Sequence, residues 1–181
     1  MRIRVILLEP ESAGNIGSVA RSMKNFGQDD LWIINPKTPI NIQARALAMH
    51  GFDVLSSAKI MNHLDKALSG IDTVVATSSV TAKSSTNIAR TPITPRELAL
   101  ALSSTRGNVA LIFGRESSGL TRQEIEGCDL LVTIPANRAY NVLNISTAVS
   151  IILYEIFQVE RRGNELTLAT SAARQKLLEQ F

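Results

Sequence analysis

Short apolar runs rich in β-branched residues alternate along the chain with segments in which apolar residues recur every three or four positions. The short runs, typical of buried strands, cover residues 3–8, 31–34, 54–55, 71–76, 109–113 and 130–134. The periodic segments, typical of helices, cover residues 16–26, 42–49, 59–68, 95–102, 122–126 and 143–161. This alternation predicts an α/β fold whose sheet is mostly parallel and covered by helices on both faces.

Two segments depart from this plain alternation. Residues 77–95 are rich in Ser and Thr, carry Lys83 and Arg90, and show no apolar period. A loop of that length inside a compact domain is usually functional, so we expect it to handle a ligand. The last long helix, 143–161, carries apolar residues on more than one face. Such a helix is buried on several sides, which predicts a subunit interface.

Length and composition limit the possible classes of protein. The 181 residues contain no long linker and no repeat, so we expect one domain over residues 1–162 and a short helical tail over 163–181. Hydrophobic residues make up 45% and charged residues 19% of the chain, which excludes disorder. Apolar stretches end well before the roughly 18 positions of a membrane span. A net charge of +3 permits nucleic-acid binding without demonstrating it.

The single cysteine, Cys128, cannot form an internal disulfide and has no nearby Cys or clustered His with which to bind a metal. We therefore expect a cytoplasmic protein without a metal site. Cys128 itself is interpreted as a small buried residue.

The first helix carries a candidate arginine. Apolar residues of this helix share one face, so Arg21 projects from the opposite side, one turn beyond Gly17. Asn15 is predicted to cap the helix. If Gly17 leaves room for a ligand, the Arg21 guanidinium suits a phosphate or a developing oxyanion; the alternative is an ordinary solvated arginine.

Two further segments lie at strand ends. FGRESSGL, residues 113–120, follows a strand and precedes a predicted capping box of Thr121 and Glu124. Its spacing fits neither a Walker A loop nor GxGxxG, although Gly114 lies where open α/β sheets bind ligands. Residues 134–147 crowd three Asn residues before the last helix. These Asn side chains are expected either to serve as helix caps and turn residues, with Asn144 as N-cap, or to bind a ribose and an adenine edge.

Read in chain order, three segments resemble the motifs of SPOUT-superfamily methyltransferases of the TrmH class, most closely the TrmJ-like tRNA ribose methyltransferases. They are NIGSVARSMKNFG, FGRESSGLT and IPANRAYNVLNISTAVSIILYE, and the strand end VVATS matches as well. The resemblance covers roughly residues 1–160. It implies a C-terminal deep trefoil knot, a topology that pattern reasoning does not give because knots are rare.

The resemblance also implies a homodimer with S-adenosyl-L-methionine (SAM) as cofactor. The implied SAM-binding residues are Thr77, Ser78, Ser79, Gly114, Ile134, Asn141, Val142 and Leu143. Arg21 matches the residue that acts at the RNA 2'-hydroxyl, and Asn15, Glu116 and Asn144 match positions that shape the catalytic site. Arg115, Lys83 and Arg90 are the candidate phosphate contacts.

The implied substrate is tRNA, at nucleotide 32 of the anticodon loop. Two alternatives stay open: a 2'-O-methyltransferase acting on ribosomal RNA, and a non-catalytic RNA-binding module with the same fold. Arg21, Glu116 and Asn144 are all present, which favours an enzyme.

Overall fold

The computed structural model describes residues 1–79 and 91–161, and its centre is a six-stranded sheet. The strands are β1 (Arg2–Leu8), β2 (Asp30–Ile34), β3 (Lys59–Met61), β4 (Thr73–Thr77), β5 (Asn108–Phe113) and β6 (Leu130–Val132). Their order is β3-β2-β1-β5-β4-β6, and every pairing between these strands is parallel. The predicted α/β class and parallel sheet are confirmed.

Helices cover both faces of the sheet. They are α1 (Ala13–Asn25), α2 (Ile42–Ala48), α3 (Phe52–Ser56), α4 (Leu64–Leu68), α5 (Pro95–Ser103), α6 (Arg122–Glu126) and α7 (Ile145–Arg161). One apolar core packs α1, α2, α3, α5 and α7 against the sheet. A second core on the other face includes Ala67 of α4 and the buried Cys128 after α6. The strands are thus buried on both sides, as their continuous apolar runs predict.

Two predicted elements are wrong. Residues 54–55, predicted as a strand, belong to helix α3, which follows a 3-10 turn at Met49–Gly51. A pair of apolar residues is too short to reveal a period, and both are buried by helix packing instead. The predicted helix 59–68 divides into β3 and α4. β3 is a three-residue edge strand with Lys59 and Ile60 exposed, so it lacks the apolar run of the central strands.

The start of α1 also differs from the prediction. Ser12, not Asn15, is the N-cap, and the Ser12 hydroxyl accepts a hydrogen bond from the Asn15 backbone N–H. Both residue types are good caps, so the sequence alone does not decide between them. Because Asn15 lies inside the first turn, its side-chain amide is available for contacts outside the helix.

The prediction of a ligand-accessible space at Gly17 is wrong as well. Gly17 is buried, and a Cβ atom there would lie 2.0 Å from the carbonyl oxygen of Ala44 in α2. The missing side chain lets two helix backbones approach each other. The predicted tail 163–181 lies outside the described residues. None of the helices within residues 1–79 and 91–161 combines the length and hydropathy needed to cross a bilayer.

Candidate functional site

A cavity of about 690 Å³ opens at the carboxyl ends of β4, β5 and β6. Open parallel sheets bind ligands at this edge. All eight residues predicted to bind the cofactor line the cavity: Thr77, Ser78, Ser79, Gly114, Ile134, Asn141, Val142 and Leu143. Three separate segments of the chain therefore converge on one site.

Hydrogen bonds hold the segments after β4 and β6 together. The Ser78 backbone N–H donates to the Val132 carbonyl at 2.9 Å, and the Asn141 side-chain amide donates to the Ser79 carbonyl at 2.8 Å. Thr77 donates its hydroxyl hydrogen to the Ile112 carbonyl at 2.9 Å, which ties β4 to β5. The cavity wall is thus built largely from backbone groups whose positions side chains fix.

The loop after β5, residues 114–119, folds back tightly on itself. The backbones of Arg115 and Gly119 exchange two hydrogen bonds, of 3.2 and 2.8 Å, and Gly119 has a positive φ of 68°. A Cβ atom on Gly114 would lie 2.3 Å from the Gly119 carbonyl carbon. Gly114 therefore permits a close approach that any other residue would block.

Three predicted catalytic residues from distant segments form one hydrogen-bonded chain. The Asn15 amide donates to Glu116 at 3.0 Å, and the Asn144 amide donates to the Asn15 oxygen at 2.9 Å. Glu116 also accepts from the backbone N–H groups of Glu11 and Ser12, at 2.8 and 3.3 Å. The network fixes the loop after β1, the loop after β5 and the start of α7 relative to one another.

The cap predicted at Asn144 is present. Its side-chain oxygen accepts from the Ser146 backbone N–H at 2.9 Å, at the entrance to α7. The capping box of Thr121 and Glu124 is also confirmed at the start of α6. Both caps fix the entry of a helix that borders the cavity.

Arg21 lies apart from this network. Its side chain is exposed on α1 and does not line the cavity. The backbone of this helix turn is packed closely, because a Cβ atom on Gly51 would lie 2.8 Å from the Arg21 Cα. A rigid helix thus presents an exposed guanidinium. Lys83 and Arg90, two of the predicted phosphate contacts, lie outside the described residues.

Arg115, the third predicted phosphate contact, has carboxylate partners on both sides. Its guanidinium bonds Glu9 at 3.0 Å and both oxygens of Glu124 at 3.1 Å. Hydrogen bonds from Arg115, Asn35 and Lys37 lower the pKa of Glu9 from 4.5 to about 2. The hydrogen bonds to Glu124 and Glu9 outweigh burial and raise the pKa of Arg115. Sequence reasoning missed Glu9, whose signal was an acidic residue directly after a buried strand.

Metal-binding residues do not cluster in the described ranges 1–79 and 91–161, where no group of three His, Cys, Asp or Glu side chains is arranged to hold an ion. The cavity itself combines apolar side chains with amides, hydroxyls and backbone groups. Such a lining suits an organic ligand with both apolar and hydrogen-bonding parts.

The comparisons with known families and with known proteins agree with one another. The model of the SpoU rRNA Methylase family matches residues 2–154. A tRNA (cytidine-2'-O-)-methyltransferase TrmJ from Methanocaldococcus jannaschii is 43% identical over 166 residues, which cover 92% of this chain and 72% of the relative. A tRNA (cytidine/uridine-2'-O-)-methyltransferase TrmJ from Salmonella typhimurium is 44% identical over 156 residues. That match covers 85% of this chain but only 63% of the relative.

Solved structures share the architecture. TrmJ from Z. mobilis ZM4 superposes with a TM-score of 0.80 at 26% identity, over 99% of this chain and 76% of that chain. The SpoU methyltransferase AviRb from Streptomyces viridochromogenes, in complex with the cofactor AdoMet, superposes with a TM-score of 0.68 over 91% of this chain and 59% of that chain. At 20% identity, this second likeness concerns the fold alone.

Proposed function

This chain belongs to the SpoU rRNA Methylase family, and from that membership we propose that it transfers the methyl group of SAM to a ribose 2'-hydroxyl of tRNA, at nucleotide 32 of the anticodon loop. The observation that carries the proposal is the convergence of three motifs on one cavity bordered by the Asn15–Glu116–Asn144 network. The substrate follows from the TrmJ relatives, whose names specify tRNA 2'-O-methylation.

The cavity fits SAM. Its volume of about 690 Å³ lies within the range of pockets that enclose small organic cofactors. Val142 and Leu143 offer apolar contacts to an adenine ring, while the backbone groups near Ser79 and Gly114 offer hydrogen-bond partners to polar atoms. Bound SAM would supply an electrophilic methyl carbon, and neither a metal nor a second cofactor is required.

The residues of the chain would orient the reaction. Methyl transfer needs an in-line approach of the ribose oxygen, so positioning supplies much of the rate. The Asn15–Glu116–Asn144 network would keep the surrounding loops in place for that approach. Arg21 would bind a phosphate and stabilise the developing alkoxide rather than remove a proton, because arginine stays protonated in proteins. As the new O–C bond forms, the bond from the methyl carbon to the SAM sulfur would break and the hydroxyl proton would pass to solvent water.

A homodimer accounts for the distance of Arg21 from the cavity, since a second copy would present its own Arg21 to the site. Apolar surface on α7 supports this arrangement. Tyr154 is 47% exposed, and Phe26 packs between it and Phe157, with ring centroids 6.1 and 5.9 Å apart. We expect Tyr154→Glu to convert a dimer into a monomer in light scattering coupled to size exclusion. A wild-type monomer would contradict the proposed dimer.

The trefoil knot is also part of the proposal. It requires the chain after β6 to pass through the loop that follows β4, and the bond from Asn141 to the Ser79 carbonyl places these segments side by side. A crystal structure of the whole chain tests the knot. A path that leaves the segment after β6 outside that loop would contradict it.

Methyl transfer from labelled SAM to tRNA transcripts tests the function. We expect the label at nucleotide 32 and no transfer to a transcript with a 2'-deoxyribose at that position. Label in ribosomal RNA alone would support the ribosomal alternative. Absence of SAM binding in calorimetry would instead support a non-catalytic RNA-binding module. Action on tRNA also implies the cytoplasmic location expected from the sequence.

A further inference from the structure

Arg115, the second residue of the loop between β5 and α6, bonds groups on both sides of that loop. Its side chain is only 18% exposed, and Glu9 and Glu124 are 23% and 21% exposed. The guanidinium Nε atom bonds Glu9, while the two terminal nitrogens bond the two oxygens of Glu124. A fourth bond, of 3.2 Å, runs to the Gly119 carbonyl. One planar group therefore joins the loop after β1, its own loop and helix α6.

The Glu9 partner is itself held firmly. Its other oxygen accepts from the Asn35 amide at 2.8 Å, and Lys37 lies 3.3 Å from the oxygen that bonds Arg115. Glu9 and Asn35 both have positive φ angles, of 51° and 47°, an uncommon conformation for residues other than glycine. The surrounding contacts must maintain this backbone, so Glu9 is a fixed anchor and not a mobile surface acid.

The negative charges of Glu9 and Glu124 argue against a phosphate contact at Arg115. Hydrogen bonds to two carboxylates and to the Gly119 carbonyl occupy four of the five N–H donors of the Arg115 guanidinium. An RNA phosphate would have to displace one of the carboxylates and would meet the charge of the other. Arginine commonly binds a phosphate through two parallel N–H donors, and the contacts of Arg115 within the described residues leave only one N–H for such a ligand.

The groups on either side of Arg115 border the proposed site. Gly114, Arg115 and Glu116 all line the cavity, and Glu116 also bonds Asn15. Because consecutive residues share one backbone, fixing Arg115 fixes both neighbours. On the basis of the proposed function, we propose that Arg115 is a positioning residue for methyl transfer, which holds the cavity edge and Glu116 through Glu9 and Glu124 and does not bind RNA.

Arg115→Met tests this role, with Arg106→Met as the matched control. Arg106 is an exposed arginine just before β5, at the opposite end of the strand. We expect Arg115→Met to lower the single-turnover rate at saturating SAM and tRNA about tenfold or more, because small misplacements near reacting groups cost large factors in rate. SAM affinity should fall about fivefold or more, since Gly114 loses its support. The control should match the wild type in both.

Binding of tRNA over a range of salt concentrations distinguishes positioning from phosphate contact. Loss of a phosphate contact lowers the magnitude of the slope of log K against log salt by about 0.7 in a single-stranded segment and about 0.9 in a duplex. We expect an unchanged slope for Arg115→Met. A lower slope, with normal SAM affinity and a normal rate at saturating tRNA, would overturn the proposal.

Glu9→Gln provides a second variant, which retains the arginine at position 115 but weakens its partner. We expect it to lower the rate and SAM affinity in the same direction as Arg115→Met. If Arg115 binds phosphate, weakening its carboxylate partner should instead tighten tRNA binding, and that result overturns the proposal. Failure of the wild type to methylate RNA would refute the proposed function separately, and the SAM titrations of both variants would still decide the role of Arg115.

Discussion

Asn15 and Glu116, which lie 101 positions apart in the chain, are joined by a hydrogen bond of 3.0 Å from the Asn15 amide to the Glu116 carboxylate. The oxygen of the same amide accepts from Asn144 at 2.9 Å. A side chain that donates in one direction and accepts in the other can be asparagine or glutamine, whereas a carboxylate cannot make both contacts. This relationship makes the amide of Asn15 a specific requirement of the site.

Asn15→Asp should therefore destabilise the protein and slow methyl transfer. The new carboxylate faces Glu116 in place of a donor, and losing a hydrogen bond of this kind costs about 1–3 kcal/mol. Urea unfolding measures the loss of stability. Adding Glu116→Gln should restore part of it, because the Gln amide can donate to the new Asp. Because Glu116→Gln alone also weakens the bond from the Ser12 backbone N–H, the test is the double-mutant cycle, and losses of stability that simply add would contradict this pairing.

The predicted cofactor residues line one cavity and three of the predicted catalytic residues form one network, whereas several predictions of the local structure around them are wrong. Strands β1, β2 and β5 were clear because their apolar runs are continuous, and the resemblance placed Asn15, Glu116 and Asn144 in one site. Ser12 and Asn15 cap equally well in principle, so only the folded helix identifies the cap. Gly17 packs against the Ala44 backbone of another helix, and Arg115 pairs with Glu9 of a distant loop. No local sequence pattern reveals contacts between segments so far apart in the chain.

Gly17→Ala should destabilise the contact between α1 and α2. The added Cβ would lie 2.0 Å from the Ala44 carbonyl oxygen, so the helices must separate, and such overpacking costs about 1–3 kcal/mol. Gly127→Ala is the matched control, because its added Cβ would lie 3.6 Å from the Glu124 carbonyl oxygen, an ordinary van der Waals contact. Thermal unfolding should show a lower midpoint for Gly17→Ala alone. Equal midpoints for the two variants would refute this account of Gly17.

Arg21→Ala should reduce methyl transfer by about 100-fold or more, the scale on which loss of an oxyanion-stabilising group acts. SAM affinity should stay unchanged, because Arg21 does not line the cavity. Lys24→Ala is a control on the same helix, where the lysine pairs with Asp53. It should change the rate by no more than about twofold. Loss of SAM binding in Arg21→Ala with normal turnover at high SAM would contradict the assigned role.

Acid unfolding should reveal the ion pair between Glu9 and Arg115. The folded-state pKa of Glu9 is about 2, below its ordinary value of 4.5, because Arg115, Asn35 and Lys37 stabilise the ionised carboxylate. A lowered pKa contributes stability that is fully present above about pH 4.5 and is lost as the pH falls through about 2.

Glu9→Gln removes that contribution, so the wild type should exceed the variant in free energy of unfolding by a constant amount above about pH 4.5. The difference should shrink steadily between about pH 4.5 and 2, where the wild-type carboxylate becomes protonated. Urea unfolding across this range measures it, and high salt should weaken the effect only partly because the pair is mostly shielded from solvent. A difference that stays constant down to pH 2 would show that the shape of the side chain, and not its charge, stabilises the loop.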